Sequence, residues 1–179
     1  MQLLLMLSRW VDALNDRFAR LAEWAVLAAC LISAGNAFVR YGLSISSNAF
    51  LEIQWYLFAA CVMLGAAQVL RVNEHVRVDV LYGLYPTRLK VFVDLMGLLL
   101  FLIPVMVLSV VLSWPLFVNM FVSGEMSSQA GGLVRWPAML LLPLGMGLLV
   151  LQAVAEVIKR VGWLMRLHEM DTHYERPLQ

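Results

Sequence analysis

Three carboxylates stand where acid chemistry in a membrane could begin: Glu52, Asp94 and Glu156. Function inside a bilayer usually shows as ionisable side chains within the spanning segments. A carrier driven by protons or cations on its own needs a carboxylate near the midplane. All three acids fall instead at the edges of apolar runs, and the runs hold no Asp, Glu, Lys or Arg. His75, His168 and His173 also lie outside them, so haem held within the membrane has no axial donors. Cys30 and Cys61 sit near the middle of apolar runs, with no second Cys or His at ligand spacing, and are small packing residues. Leu27-Ala28-Ala29-Cys30 matches a lipoprotein cleavage box. The apolar run continues past it through Leu31, Ile32 and Phe38, where a cleaved lipoprotein would enter a polar linker. No nucleophile–base pair, P-loop or glycine-rich phosphate loop is present. No catalytic, substrate-binding or metal-ligating residue is therefore assigned, no cofactor is expected, and the chain does not read as an enzyme.

The elements that would carry such residues are clearer than the residues. Of 179 residues, 62% are apolar and 14% charged, against about 45–50% and 25% in soluble domains. The mean hydropathy is +0.81. A small soluble domain cannot hide that much apolar surface, and a chain this rich in Leu, Val, Phe and Trp is not disordered. The net charge of +1 gives no footprint for nucleic acid. Four charge-free runs remain: 24–39, 53–70, 95–124 and 136–155. Each reaches the roughly 20 residues a spanning helix needs, the first by borrowing Leu21, Ala22 and Tyr41. Spanning β-strands would alternate apolar and polar residues, and these runs do not. The fold expected is an all-α integral membrane protein with four spans, at 21–43, 51–71, 87–121 and 136–158, followed by a tail over 160–179.

Basic residues orient the spans. Eleven of the 13 Lys and Arg lie before the first span, between the second and third, or after the fourth. Only Arg40 and Arg135 lie on the other side. The positive-inside rule places both termini in the cytoplasm. Two amphipathic segments, 3–21 and 73–85, are expected to lie in the inner interface as separate helices, with Asn73 as an N-cap of the second. Pro86 should open the third span. At about 50 Å that span must tilt or bend, with Pro104 and Pro115 as bending points.

The spans carry packing signals. Ala25, Ala29, Ser33 and Ala37 recur every four residues along the first span, and small residues let helices approach closely in lipid. Asn36 and Arg40 lie one turn apart near its outer end, and Glu52 opens the second span at similar depth. An Arg40–Glu52 clamp between the two spans is expected, with snorkelling of both groups to water as the alternative.

The order Asn36-x-x-x-Arg40-Tyr41, then Glu52, Gly65-Ala66 and His75-Val76-Arg77-Val78-Asp79 resembles the small, DctQ-type membrane subunit of tripartite ATP-independent periplasmic (TRAP) transporters. The resemblance covers roughly residues 20–160, and His75 to Asp79 is its most specific part. Leu51 stands where the family often has a first glutamate before Glu52. The resemblance implies a bacterial inner-membrane protein and two partners, a large permease subunit and a periplasmic substrate-binding protein. The large subunit would hold the substrate, an organic acid, and the coupling sodium. The small subunit would brace it and help dock the binding protein. His75, Arg77 and Asp79 join the packing residues as partner-interface candidates, and Glu125, Ser127, Gln129 and Arg135 are candidates for docking the binding protein. On residues alone, a membrane scaffold unrelated to transport and a redox membrane anchor stay open.

Overall fold

The computed structural model describes residues 2–45, 47–74 and 82–167. Helix α1 (Gln2–Leu43) is followed by α2 (Asn48–Val72), a 3-10 turn (Tyr82–Leu84), α3 (Thr87–Gly97), a π turn (Leu98–Leu102), α4 (Ile103–Ser123) and α5 (Trp136–Leu164). With α3, the π turn and α4 counted as one rod, four helices are long and apolar enough to cross a membrane. They form an antiparallel bundle. The start of α1, the end of α2 and the end of α5 meet at the terminal end. The start of α2, the end of α4 and the start of α5 meet at the loop end. α5 packs on α1, α2 and α4 and is the central helix.

Local chemistry sets the boundaries. Ser47 is extended, and its hydroxyl accepts the Ala49 N–H at the start of α2, an N-cap contact. Asn73, expected to open a new helix, closes α2 instead. It adopts the left-handed conformation (φ 61°), its N–H reaches Leu70 O, and Glu74 N–H reaches Val69 O. Asparagine tolerates that conformation better than most residues. The rest of the expected helix 73–85, with His75, Arg77 and Asp79, lies outside the described residues up to the turn at Tyr82. α3 starts directly after Pro86, as expected. The third rod changes its hydrogen bonding next to Pro104: Ile103 N–H bonds Leu98 O, five residues back. Proline lacks an N–H and its ring crowds the carbonyl four residues before it. One wider turn relieves that conflict.

The segment 3–21 is not a separate interfacial helix. α1 runs unbroken for 42 residues, about 63 Å. Its residues 16–29 contain five alanines and no Gly or Pro, so nothing in them breaks a helix. Its buried face, Ser8, Val11, Asn15, Ala19, Ala22 and Ala25, continues past residue 21 against α2 and α5. The small-residue stripe is accordingly displaced from the expected one. Ala25 is buried and Ala29 half-buried, whereas Ser33 and Ala37 are exposed. α5 likewise outruns its expected end at 158, reaching Leu164.

The core is thin and built on small residues. Ala22, Ala67 and Ala153 pack with Leu64, Leu98 and Leu148. Gly145 allows α5 to touch α2: a Cβ there would meet Met63 Cβ at 2.7 Å and Met63 O at 2.5 Å. Lipid is as apolar as leucine, so close packing rather than burial from water joins spans. The third rod shows the converse, with only 11% of its most apolar window buried inside the protein.

Candidate functional site

Two polar clusters fasten the bundle, one at each end. At the terminal end, Gln152, Glu156, Lys159 and Arg160 share one face of α5, because residues three, four, seven and eight apart line up on a helix. Asp12, Asn15 and Asp16 do the same on α1. Asn15 Nδ2 donates to Gln152 Oε1 at 2.7 Å, and Gln152 Nε2 donates to Asp12 Oδ1 at 2.9 Å and Glu156 Oε1 at 3.1 Å. Lys159 Nζ donates to Asp12 Oδ1 and Glu156 Oε1, both at 2.8 Å. Arg160 reaches Glu156 Oε2 at 2.5 Å and Asp94 Oδ2 of α3 at 3.4 Å. Arg71 of α2 bonds Asp16 Oδ2 at 2.7 Å and the Asp12 carbonyl at 3.2 Å. Asn15 and Gln152 are wholly buried, and Glu156 and Arg160 nearly so.

Four helices thus meet in one hydrogen-bonded network. Charges placed this deep are tolerated because each carboxylate faces a cation and directed N–H donors. Apart from Asn15 Oδ1, which has no protein partner, the acceptors are engaged by fixed donors, which makes the cluster an interlock. Sequence reasoning misses it: Asp94 and Glu156 read as span edges, and Lys159 and Arg160 as basic residues after the fourth span. The signal available was the polar stripe 152-156-159-160 at helical spacing.

At the loop end, residues 125–135 form a short hairpin. Met126 and Val134 bridge antiparallel, Ser127 N–H bonds Leu133 O at 2.9 Å, and Arg135 N–H bonds Glu125 O at 3.0 Å. Gly124 (φ 61°) and Gly131 (φ 71°) occupy left-handed positions at the turns, which suit glycine. Glu52 of α2, 3% exposed, pins this hairpin. One carboxylate oxygen accepts the Ser127 hydroxyl and the other accepts Leu133 N–H at 2.7 Å. Asn48 Nδ2 donates to Ala130 O at 2.9 Å, and the Tyr56 hydroxyl to Val134 O at 3.1 Å. Gly132 has no room for a side chain, since a Cβ would lie 2.5 Å from Ser127 Cβ and 2.9 Å from Glu52 Oε1.

The docking candidates are therefore brought together: Glu125, Ser127, Gln129 and Arg135 all belong to this hairpin. Arg135 and Glu125 form a half-exposed ion pair. The expected Arg40–Glu52 clamp is replaced. Glu52 is committed to the hairpin, and Arg40 is exposed near the end of α1. A backbone N–H and a hydroxyl carried in by the chain's own hairpin satisfy the carboxylate without a distant cation. Asn36 is half-buried, one turn from Arg40.

Below the hairpin lies an open cleft of about 500 Å³ between α2, α4 and α5. Glu52, Ser128, Gln129 and Arg135 rim it, and Ala59, Met63, Met120 and Leu142 form its walls. Beside it, Trp114, Phe117, Phe121 and Trp136 stack in sequence, the last pair edge-to-face at 5.3 Å.

No curated protein and no solved structure matches the chain. A family model described as tripartite ATP-independent periplasmic transporters, DctQ component, matches residues 29–162. That stretch runs from the middle of α1 almost to the end of α5, taking in both the hairpin and Glu52. The chain belongs to the DctQ family, the small membrane subunits of TRAP transporters.

Proposed function

We propose that this subunit is a fixed brace in the bacterial inner membrane, with both termini in the cytoplasm. It holds the scaffold of the large permease subunit and offers the 125–135 hairpin to the periplasmic substrate-binding protein. The segregation of basic residues supports the orientation. The observation that carries the docking role is the hairpin pinned by Glu52, which presents Glu125, Gln129 and Arg135 at the loop end on a rigid base. A loop held by four side-chain contacts is unusual unless its shape is used, because surface loops are otherwise mobile. The two polar interlocks suit a part that stays still while its partner moves. Substrate, an organic acid, and the coupling sodium would bind in the large subunit.

Uptake in liposomes holding both membrane subunits, with the binding protein outside and a sodium gradient, tests the reading. Glu125→Arg and Arg135→Glu singly break the ion pair, and the double exchange restores it with reversed polarity. If the hairpin docks the binding protein, the double variant keeps the fold yet lowers uptake and weakens binding-protein association. Wild-type uptake by the double variant would refute docking through this pair.

A further inference from the structure

We infer that the cleft under the hairpin is a built seat for one acyl chain of an outer-leaflet glycerophospholipid. Depth is the first argument. Along α2 the cleft runs from Glu52 to Met63, eleven residues, or about 16 Å. One leaflet contributes half of a hydrocarbon core about 30 Å thick, so the cleft is as deep as one leaflet.

Polarity is the second. The rim holds Glu52, Ser128, Gln129 and Arg135, and every wall below is apolar. Trp55, 62% exposed, and Tyr56 line the cleft near Glu52, and Trp136 opens α5 at the same end of the bundle. Such rings favour the headgroup level, which sets the rim at the interface and the walls in hydrocarbon.

Charge is the third, and it favours a lipid tail over a small organic acid as the occupant. The cation on the rim, Arg135, is paired with Glu125, and both oxygens of Glu52 already accept hydrogen bonds. A carboxylate solute would compete with Glu125 for Arg135 and would leave water for apolar walls. A lipid tail loses nothing there, and its glycerol and headgroup can take Ser128 and Gln129. The occupant would lie against the helices that carry the hairpin, filling the space under Glu52.

Vesicles of phosphatidylethanolamine and phosphatidylglycerol, doped with a phospholipid bearing a diazirine in its acyl chain, provide the probe. After reconstitution and irradiation, adducts are mapped by peptide mass spectrometry. The expected result is enrichment over 59–63 and 138–142, at least fivefold above the exposed face of α4 around Leu108 and Leu112. Ala59→Trp, which fills the cleft, should abolish that enrichment, and Leu108→Trp should leave it unchanged. Native mass spectrometry of the wild type should retain one phospholipid after mild delipidation, and the Ala59→Trp variant none. Even labelling of all lipid-facing peptides in the wild type would overturn the proposal, and that outcome does not depend on any variant folding. So would equal lipid retention by wild type and a folded Ala59→Trp variant.

Discussion

Gly145→Ala probes the closest approach in the bundle. The added Cβ would lie 2.7 Å from Met63 Cβ and 2.5 Å from Met63 O. Carbon atoms rest at about 3.5–4.0 Å, so α2 and α5 must part by about 1 Å. Overpacking of this kind costs about 1–3 kcal/mol. Alanine returns about 1 kcal/mol of helix propensity, which leaves a net loss of about 0–2 kcal/mol. Gly147 lies two residues further along α5, with nothing within 4 Å of the same added atom. Gly147→Ala keeps the propensity term and escapes the clash, so the two variants share composition and differ only in what the methyl meets. The assay is thermal unfolding of each purified protein in one detergent at one scan rate, read by loss of the monodisperse peak on size exclusion. The rate is fixed because unfolding of this kind is commonly irreversible. Gly145→Ala should unfold several degrees below wild type, and Gly147→Ala at or above it. Matching midpoints for all three would refute the claim that contact with Met63 sets the α2–α5 spacing.

Other perturbations test the two interlocks. Gln152→Leu strands Asn15, and Asn15→Leu strands Gln152. Each should cost about 1–3 kcal/mol, and the double variant should lose clearly less than the sum, as thermal midpoints would show. Arg160→Met leaves Glu156 with Lys159 as its remaining cation and Asp94 without its arginine. It should destabilise by about 3–5 kcal/mol, measured by denaturation in mixed micelles. Gly132→Ala should push the hairpin off Glu52, seen as a longer spin-label distance between the hairpin and α2, with binding-protein association falling in step. Arg40→Ala should leave that distance unchanged while Glu52→Ala lengthens it, and the double variant should match Glu52→Ala alone. A lengthening by Arg40→Ala in the wild-type background that vanishes in the Glu52→Ala background would revive the clamp between the first two spans.

The four spans were legible because each is a charge-free run near the length of a bilayer core, and that signal is local. Pro86 and Pro104 were legible for the same reason: a missing N–H acts within one turn. The continuity of α1 was not. Its amphipathic first half suits a helix lying on a membrane as well as one lying on protein, and only the reach of α2 and α5 decides between them. Glu52 stands out in the sequence, but the partners it takes in the fold do not. Arg40 is 12 residues away in sequence, whereas Ser127 and Leu133 are 75 and 81 away. The Asp12–Lys159 contact spans 147 residues. Charges at span ends commonly snorkel to water, so the polar stripe that holds Lys159 does not by itself say that it faces inward to Asp12. Glu125, Ser127, Gln129 and Arg135 stand out in the sequence, yet the shape of their hairpin depends on a carboxylate from another helix.

The π turn at Leu98–Leu102 also sets a phase. It places one more residue in its turn than an α-helix would, so every side chain beyond it is rotated by about 100° relative to an uninterrupted helix. Ser113 is buried, and Phe121 meets Trp136, only in that rotated frame. Removing a single leucine from this turn would change no charge and shorten the rod by one residue. It would nevertheless turn the outer half of the span like a key in its lock, sending Ser113 toward lipid and carrying Phe121 away from the base of the hairpin.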